Sequence, residues 1–453
     1  MQNIKKINEA FLNHLKSSGF VYQGSEIYGG LSNTWDYGPL GALLKDNIRQ
    51  AWKNEFILKE ANNFLIDSKI LMNPQVWVTS GHVSNFSDPL IENKVNGKRY
   101  RADKILQEFD PNLIPEKMSK EEIRDFLTKN VLEYEGSKTN WSEIREFNLM
   151  FETEQGIVEG SKSKIYLRPE TAQGIFINFK NVQRSSRAKL PFGIGQIGKS
   201  FRNEVTPGNF IFRTREFEQM ELEFFTMPKD TPKWFDYYVN KCKDFVLKLG
   251  LIDENLRVRA HDPGELAHYS SATTDLEFKF PFGWGELLGV ANRSDYDLKS
   301  HSQASGELLA YLDPETNQKI FPYVIEPSIG LDRLMLAILV DTYHEEKISD
   351  TESRILFKFP LEIAPYKIAI LPLVKKLSDK AQEIMSFLIA KGISCVYDET
   401  GSIGKRYRRQ DAIGTYWSLT IDYESLENDT FTLRNRDTMQ QIRISLNDLL
   451  KYL

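Results

Sequence analysis

The chain has 453 residues, of which 41% are hydrophobic and 27% are charged, a composition typical of a globular protein of two or three domains. The formal net charge of −5 excludes a basic field over the whole surface, so any contact with nucleic acid must come from local patches. The longest apolar run, residues 334–340, is too short to span a bilayer, and the N-terminus lacks the apolar segment of a signal peptide. Because the two cysteines are far apart in the sequence, we expect a soluble protein of the reducing cytoplasm.

The first three quarters of the chain combine helical and strand-like patterns. Helix periodicity covers residues 4–15 and 40–56, with glycine-rich turns between them. The segment at about 101–145 is charged and helix-prone, and we interpret it as an insertion on the surface of a larger domain. Residues 145–340 are rich in short strand-like runs and end in a helix. The apolar stripe of that helix, typical of a helix packed on a sheet, is Leu331, Leu334, Met335, Ile338 and Leu339.

Residues 195–225 predict a β-hairpin with an unusual charge pattern, because two strand-like runs flank a loop that contains Pro207 and Gly208. Arg202 and Glu204 are two residues apart, so they fall on one face of the first run, because the side chains of a strand alternate between its faces. The second run places a polar set on one face, namely Phe217, Gln219, Glu221 and Glu223. A polar floor of both charge signs suits an anionic ligand that also carries an amine. The alternative is a surface hairpin with ordinary cross-strand ion pairs.

Three further segments carry similar chemistry. LRPETAQG places Arg168 and Glu170 two residues apart around a proline, which favours a strand edge. EPSIGLDR leads from a strand into the amphipathic helix, with Arg333 in the first helical turn and off the apolar stripe. Glu286 and Arg293 lie in a strand region punctuated by glycines. For Arg333, the alternative is a solvated arginine on a helix. For Glu286 and Arg293, the alternative is a strand pair with ordinary surface charges.

The C-terminal block begins near residues 355–365, where two prolines interrupt the chain. Beyond it, a strand at 366–373 precedes a helix at 375–391, which Gly392 ends. A second strand at 393–398, a short basic helix and a third strand near 416–421 follow. This alternation predicts a small α/β domain with a mostly parallel sheet.

Several of these segments resemble known motifs. FRNE with FRTREFEQMELEFF is similar to motif 2 of the class II aminoacyl-tRNA synthetases, and EPSIGLDRLMLAIL is similar to motif 3. The run around residues 72–82 occupies the place of motif 1. Within the class, SEIYGG, WDYGPLG, SGHVSNFSDPL, LRPETAQGIFINFKN and HYSSATTDLEF resemble the homodimeric glycyl-tRNA synthetases, and this resemblance extends from about residue 20 to residue 445.

The resemblance implies an α+β catalytic domain over residues 1–355, with an antiparallel sheet flanked by helices, and a C-terminal α/β anticodon-binding domain over 363–453. It implies that the chain uses ATP to attach glycine to its tRNA through glycyl-adenylate, as a homodimer without a membrane association. The expected cofactors are ATP and Mg²⁺, and the expected partners are glycine, ATP and the tRNA for glycine. The six histidines form neither HExxH nor a close triad, so no dedicated protein site for a metal is expected.

The resemblance also assigns roles by position. Arg202 would clamp the α-phosphate and the glycine carboxylate, while Phe217 would stack on adenine, and the catalytic set is Arg202, Arg333 and Glu286. Glu286 would lie near the Mg²⁺ that accompanies ATP. The implied ATP-binding set is Arg202, Asn203, Glu204, Phe212, Arg213, Thr214, Arg215, Glu216, Phe217, Glu286, Leu287, Gly330, Leu331, Asp332 and Arg333. The implied glycine-binding set is Arg101, Glu170, Phe217, Glu218, Gln219, Met220, Glu221, Arg293, Glu326, Pro327, Ser328, Ile329 and Gly330. The implied anticodon contacts are Lys405, Arg406, Tyr407, Arg408 and Arg409.

Two other functions are compatible with a synthetase-like chain. A catalytically inactive accessory protein is expected to lose the motif arginines, whereas Arg202, Arg213 and Arg333 are all present here. The other is a related synthetase for another small amino acid, such as proline or threonine, and the glutamate-rich second run and the missing zinc ligands speak against threonine. The chain departs from the family at Ala412 and Tyr416, where glutamate and proline are usual. The alternative to an anticodon site in this basic segment is a solvated basic helix.

Overall fold

The computed structural model describes residues 7–110, 113, 115–156, 163–350 and 352–453. Its centre is a seven-stranded sheet with the order β4-β5-β6-β7-β3-β2-β1, in which every pairing is antiparallel except that of β1 with β2. The strands are β1 (Asn63–Leu65), β2 (Phe192–Phe201), β3 (Glu216–Thr226), β4 (Leu256–Ala260), β5 (Ala272–Phe280), β6 (Gly283–Ser294) and β7 (Tyr323–Gly330). This sheet confirms the antiparallel α+β fold expected for the larger part of the chain.

Five helices cover the two faces of this sheet. They are α1 (Pro39–Lys53), α2 (Ala172–Ser186), α3 (Thr231–Lys248), α4 (Tyr296–Ser305) and α5 (Leu331–Thr342). The main hydrophobic core lies between one face and α1, α3 and α5, and the predicted apolar stripe of α5 is entirely buried in it. On the other face, α2 and α4 pack over the far end of β2 and β3 and leave the rest of that face open. The helix predicted at 40–56 is α1 followed by a wider helical turn at Asn54–Leu58.

Smaller elements surround this centre. Short helices lie at Glu9–Ser17, Pro74–Thr79, His82–Asn85, Ala102–Phe109 and Lys120–Asn130. Ser87–Asn93 pairs with Lys98–Arg101 and Arg145–Asn148, and two-stranded pairs join Val21–Gln23 to Trp35–Tyr37, Glu133–Tyr134 to Ser137–Lys138, Glu152–Gln155 to Ser163–Tyr166, Tyr311–Leu312 to Lys319–Ile320, and Tyr343–Lys347 to Ser353–Phe357. The expected insertion forms a small hydrophobic cluster of its own, and its second helix begins with a capping box between Ser119 and Glu122.

The C-terminal part contains a five-stranded sheet with two helices. Its strands are β8 (Ile368–Pro372), β9 (Cys395–Tyr397), β10 (Trp417–Ile421), β11 (Thr430–Asn435) and β12 (Gln441–Ser445), and the helices are α6 (Ser378–Ala390) and α7 (Ile403–Ile413). The order is β9-β8-β10-β11-β12, with β8 parallel to both neighbours and the other two pairings antiparallel. The prediction of a mostly parallel sheet was therefore wrong, because β11 and β12 form a hairpin at the edge that the alternation of strands and helices did not predict. Two helical turns at Glu424–Asn428 and Leu446–Leu449 complete this part.

The chain passes from one hydrophobic core to the other shortly after Pro360. Phe359, Ile363 and Ala364 pack in the main core, whereas Ile368 already belongs to the core of the C-terminal sheet. The change from one core to the other therefore takes place over a few residues within 364–368. Among the described residues, no helix combines the length and the apolar character needed to cross a membrane.

Candidate active site

The hairpin predicted at 195–225 consists of β2, a loop over residues 202–215 and β3. The second strand has the expected pattern, since alternate residues of β3 are buried in the main core. The first strand ends earlier than predicted, at Phe201. The backbone N–H of Asn203 leaves the strand pairing and donates to the carbonyl of Leu149, at 2.8 Å. Arg202 and Glu204 therefore lie in the loop and not on a strand face.

An open cleft lies against β3, the hairpin loop and the first turn of α5. Most of the implied ATP-binding residues line it. These are Arg202, Glu204, Phe212, Arg213, Thr214, Phe217, Glu286, Leu287, Gly330, Asp332 and Arg333. The cleft therefore brings together residues that are up to about 130 positions apart in the sequence, from motif-like segments that were identified separately.

Arg202 is positioned by a backbone carbonyl and two aromatic rings. Its Nε donates to the carbonyl oxygen of Pro169 at 3.0 Å. The guanidinium lies 5.3 Å from the ring centroid of Phe86 and 5.2 Å from that of Phe217. Within the described part of the chain, no carboxylate lies within ion-pair distance of Arg202, so its positive charge is directed by a carbonyl and two aromatic faces and stays available to an anion.

The other two arginines of the cleft are held in different ways. Arg333 lies over the ring of Phe212, at 4.5 Å, and pairs with Glu286 at 2.9 Å. This guanidinium lowers the pKa of Glu286 below its ordinary value, so Glu286 is an anion on the wall of the cleft. Arg213 is 3.9 Å from Glu204, which is too long for a close ion pair, and burial lowers its pKa. The cleft is therefore lined by three arginines and four carboxylates, and two of these carboxylates, Glu218 and Asp332, are bound by other basic residues of the protein.

Asp332 fixes the position of the helix that carries Arg333. It accepts hydrogen bonds from the backbone N–H of Glu218 at 2.7 Å, from Lys45 at 2.9 Å and from the hydroxyl of Tyr37. These bonds attach the start of α5 to the beginning of β3 and to α1. Asp332 is thus a scaffold residue of the cleft, and its carboxylate is already occupied by the protein.

A second group of residues forms what we call the acidic pocket, next to the cleft: Glu170, Glu221, Arg293, Glu326 and Ser328. Ser328 donates to Glu221 at 2.7 Å, and Arg293 donates to both oxygens of Glu326 at 3.0 and 3.1 Å. Nη2 of Arg293 is 3.7 Å from Glu170. Ser328 also lines the cleft, so the pocket and the cleft share a wall.

Three residues of this region were not predicted from the sequence. Asp297 accepts two hydrogen bonds from Arg293, at 2.8 and 3.0 Å, across the turn from β6 to α4, where no helical spacing could have indicated the pair. His82 lies 3.4 Å from Glu170, and Thr171 donates its N–H to Glu221 at 3.0 Å. Although burial opposes it, the charges of His82 and Arg293 hold the pKa of Glu170 below its ordinary value. No sequence pattern indicated His82, which comes from a separate short helix.

Other implied residues lie away from the pocket and the cleft. Successive side chains of a strand point to opposite faces of the sheet. A set of consecutive residues assigned from the family therefore includes side chains that point away from the cleft and the acidic pocket. Met220, Ile329 and Leu331 are buried in the main core, and Pro327 lies on the same side of β7 as Ile329. The remaining displaced residues are Asn203, Arg215 and Glu216, which line a neighbouring cavity.

Two charged residues of the implied glycine set are occupied by ion pairs. Glu218 accepts two hydrogen bonds from Arg49, at 2.6 and 2.7 Å, on the face of β3 that carries Met220. Arg101 binds Asp88 at 3.0 Å and a second aspartate, Asp103, at 2.6 Å. Neither residue belongs to the acidic pocket, although Glu218 lines the cleft.

Comparisons with known proteins agree with this geometry. Residues 151–342 match the family model of the tRNA synthetase class II core domain (G, H, P, S and T), and residues 367–453 match that of the anticodon binding domain. The glycine–tRNA ligase of Mycoplasmopsis synoviae is 64% identical over 442 residues, which cover 98% of each chain. The chain belongs to the glycine–tRNA ligases. It is therefore a ligase of the aminoacyl-tRNA synthetase type.

Further relatives support the same family. The glycine–tRNA ligase of Acetivibrio thermocellus is 56% identical over 454 residues, covering 99% of this chain and 98% of the relative. That of Mesoplasma florum is 54% identical over 447 residues, covering 98% and 99%. Among solved structures, a Giardia lamblia prolyl-tRNA synthetase in complex with prolyl-adenylate has a TM-score of 0.64 at 15% identity and covers 97% of this chain and 74% of that chain. The last likeness shows a shared class II fold.

In the C-terminal part, the structure distinguishes the basic residues of α7 from one another. Arg406 is buried and donates to the carbonyl oxygens of Gly401 and Pro372, so it stabilises the fold and is not exposed to RNA. Tyr407 donates or accepts a hydrogen bond with Thr420 at 2.6 Å. The three that retain exposed side-chain surface are Lys405, Arg408 and Arg409.

Proposed function

We propose that the cleft and the acidic pocket together form glycyl-adenylate from glycine and ATP, and that the chain then transfers the glycyl group to the terminal ribose of its tRNA. The observation that carries this proposal is the shared wall between a cleft of arginines and a pocket of carboxylates. Gln219 belongs to that wall, because it lines the cleft and donates to Glu221 at 2.7 Å. One substrate is a polyanion and the other bears an ammonium group, so each finds its complement on one side of the wall.

The arginines of the cleft would position ATP and neutralise its charge. Arg202 is assigned the α-phosphate and the carboxylate of glycine, and Arg213 and Arg333 the outer phosphates. Attack of the carboxylate on the α-phosphorus displaces pyrophosphate and needs no covalent help from the protein, so positioning and fixed positive charge dominate catalysis. Phe217, half-buried on the cleft side of β3, offers an aromatic face for adenine. The complex of the Giardia lamblia synthetase with prolyl-adenylate is consistent with this use of the fold.

Mg²⁺ would accompany ATP and is assigned to the wall near Glu286. Among the described residues, no group of three or more histidines, cysteines or carboxylates could hold a metal ion on its own. Mg²⁺ commonly uses one or two carboxylates together with phosphate oxygens and waters, and a single partly exposed carboxylate, Glu286, fits that donor set. The ion would supply charge neutralisation at the phosphates.

The acidic pocket would hold the ammonium of glycine through Glu170, Glu221 and Glu326. Its three carboxylates come from different segments of the chain and lie in one buried region. Placing like charges close together costs free energy unless cations bind between them. A pocket filled to the size of glycine excludes larger amino acids by overpacking, so no separate editing site is needed. We therefore narrow the glycine set to the acidic pocket with Gln219.

The C-terminal part would bind the anticodon through exposed basic side chains of α7. Lys405 and Arg409 are the residues that we assign to phosphate contacts, and Arg409 would exchange its pairing with Asp398, at 2.7 Å, for the phosphate. Arg408 is also partly exposed, although it pairs with Glu352 at 3.0 Å. Arg406 is removed from the assigned set because its donors are bound to backbone carbonyls.

We also propose that the chain is a homodimer of the cytoplasm. The helical turn Asn54–Leu58, the edge strand β1 and the residues at and just before the place of motif 1 expose several large apolar side chains, and such exposure marks interaction surfaces. They are Leu58, Leu65, Leu71 and Val78, with exposed fractions of 67%, 45%, 53% and 51%. Light scattering coupled to size exclusion tests this: a monomer mass at micromolar concentration contradicts the dimer.

The activity is tested by ATP–pyrophosphate exchange with a panel of amino acids that includes glycine, alanine, serine and proline. We expect exchange with glycine, at least about a hundredfold above alanine because an added methyl group overpacks the pocket. Exchange that depends on serine or proline but not on glycine contradicts the proposal. Hydrolysis of alanyl-tRNA by the chain would contradict the absence of an editing site.

A further inference from the structure

Gln173 is a buried amide that the proposed chemistry does not use. It lies in the first turn of α2, and its side chain contacts Glu170, Asp297 and His301. All four residues are buried. A buried amide must place its two N–H donors and its carbonyl oxygen on partners, because a polar group left without one costs free energy. The partners of Gln173 therefore indicate what its side chain does.

Both N–H groups of the Gln173 amide are directed to carboxylates. Nε2 donates to Oε1 of Glu170 at 3.0 Å and to Oδ1 of Asp297 at 2.9 Å. Asp297 also accepts two hydrogen bonds from the guanidinium of Arg293, which in turn donates to both oxygens of Glu326. One amide therefore connects Glu170 to the ion pairs of Arg293, so the two sides of the acidic pocket belong to one hydrogen-bond network.

The carbonyl oxygen of Gln173 faces His301 on α4. Nε2 of His301 lies 2.8 Å from Oε1 of Gln173. Because a carbonyl oxygen can only accept, Nε2 carries a proton and donates it. Turning the amide over would direct its oxygen to two carboxylate oxygens, where three acceptors would meet without a donor. The two carboxylates and the donor on His301 therefore agree on a single orientation of the amide.

The carboxylate of Glu170 is contacted at both of its oxygens. Oε1 accepts from Gln173, and Oε2 lies 3.4 Å from Nε2 of His82. An ionised carboxylate has about four acceptor positions, so both oxygens can still accept from an ammonium group. A side chain that must meet a small ligand binds it more tightly when its orientation is set beforehand, because less conformational freedom is lost on binding.

We propose that Gln173 is a positioning residue for glycine: it holds the carboxylate of Glu170 in the orientation that meets the ammonium, and the N–H of His301 holds the amide of Gln173. This inference rests on the proposed function, because it takes the acidic pocket as the glycine site. Gln173 does not line the cleft. Its contribution therefore concerns glycine and not ATP.

Gln173→Met tests the inference, because methionine has nearly the length and volume of glutamine but no N–H donor. Pyrophosphate exchange by the full chain is measured over a range of glycine and ATP concentrations. We expect the KM for glycine to rise about ten- to hundredfold, since two hydrogen bonds to buried carboxylates are lost, and the KM for ATP to change less than about twofold. A KM for glycine within about twofold of the wild-type value, or an equal rise in both KM values, overturns the inference.

Gln183→Met is the matched control on the same helix. The partly exposed amide of Gln183 accepts a hydrogen bond from Lys180, outside the acidic pocket, so both KM values should stay unchanged. The wild type separates this inference from the proposed function. A wild type without glycine-dependent exchange contradicts the proposed function, whereas normal exchange by the wild type and an unchanged KM in Gln173→Met contradict the inference alone.

Two variants of His301 test the orientation of the amide without changing Gln173. His301→Gln keeps an N–H near the position of Nε2, and His301→Met removes it at similar length. We expect His301→Gln to keep the KM for glycine within about threefold of the wild type and His301→Met to raise it at least about fivefold more than that variant does. Equal KM values in the two variants overturn the role of His301, and this comparison can be made even if Gln173→Met does not fold.

A double-mutant cycle shows whether Gln173 acts through Glu170. Glu170→Gln alone should lower kcat/KM for glycine, because it removes a charge that faces the ammonium. The further loss caused by Gln173→Met should be at least about fivefold smaller in the Glu170→Gln background than in the wild type, because the carboxylate that Gln173 orients is already absent. Equal losses in the two backgrounds overturn positioning through Glu170.

Discussion

The arginines of the cleft and the arginines of the C-terminal part look alike in the sequence and have opposite roles in the structure. In the cleft, Arg202 is held by a carbonyl oxygen and two aromatic rings, and its charge has no carboxylate partner among the described residues. In the C-terminal part, Arg354 and Arg434 both bind the buried carboxylate of Asp411. Basic composition therefore does not by itself identify a ligand site, because the groups that each guanidinium contacts decide whether its charge is available.

Asp411 joins the two parts of the chain. Arg434 on β11 makes a bidentate pair with it at 2.8 and 2.9 Å, and Arg354 on the strand Ser353–Phe357 donates to it at 2.9 Å. Arg354 also donates to the carbonyl oxygens of Arg436 and Asp437. The last strand before the boundary is thus attached to the C-terminal sheet through α7, which fixes the orientation of one part relative to the other.

The largest expected effect comes from breaking this network. Asp411→Ala leaves two buried guanidiniums without their carboxylate, and we expect a loss of about 3–5 kcal/mol in the free energy of unfolding. Urea denaturation of the full chain measures it. Asp398→Ala is the matched control, because Asp398 pairs at 2.7 Å with the more exposed Arg409, and it should cost less than about 1 kcal/mol. Equal losses in the two variants would show that the buried ion pairs of Asp411 stabilise the fold no more than the more exposed pair of Asp398 does.

The second prediction tests the free arginine of the cleft. Arg202→Ala removes a positioned charge from the reacting phosphate, so the kcat of pyrophosphate exchange should fall by about 10²–10³ with little change in the melting temperature. Arg184→Ala, on the exposed end of α2, is the control and should keep full activity. A loss below about tenfold in Arg202→Ala, or a loss explained by unfolding, contradicts the assignment.

The fold was predictable where the pattern was long and periodic, as in α5 and β3, and the family motifs indicated the cleft. The sequence could not predict that β2 ends before Arg202, because that depends on a hydrogen bond from Asn203 to the distant Leu149. Nor did it distinguish Arg406 from Lys405, since burial of one and exposure of the other depend on how α7 packs on β8. Short, half-exposed strands such as β11 and β12 have too little alternation to be identified, and buried partners such as His82 are distant in sequence from the groups they contact.

The third prediction concerns Asp88, whose carboxylate has fewer hydrogen-bond and ion-pair partners than that of Asp411. Asp88 pairs with Arg101 through one oxygen, and the other oxygen has no partner within the described part of the chain. Burial raises the pKa of Asp88 from 3.8 to about 6, with Arg101 opposing it. The folded state therefore binds the proton more tightly than the unfolded state, so this stabilisation is complete below about pH 4 and is lost as the pH rises through 6.

Asp88→Asn removes this titration. Between pH 4 and pH 7, the stability of the wild type relative to Asp88→Asn should decrease by up to about 2 kcal/mol, because a shift of one pKa unit corresponds to about 1.4 kcal/mol and some solvent screening remains. Urea denaturation at a series of pH values provides the measurement. A difference that is constant across this range would mean that Asp88 is fully neutralised by Arg101, as Asp411 is by its partners.

The smallest expected effect separates exposed from buried basic residues within α7. Lys405→Ala removes one exposed charge, so the KM for tRNA should rise about two- to tenfold, and the slope of log KM against log salt should decrease by about one. Pyrophosphate exchange without tRNA should stay unchanged, because the substitution lies outside the cleft and the acidic pocket. Lys391→Ala, at the exposed end of α6, is the control for a general loss of positive charge. Arg406→Ala should instead lower the stability, because two backbone carbonyls lose their buried donor. If Lys405→Ala reduced exchange and aminoacylation equally, α7 would not be an anticodon contact, and its basic residues would all belong to the scaffold, as Arg406 does.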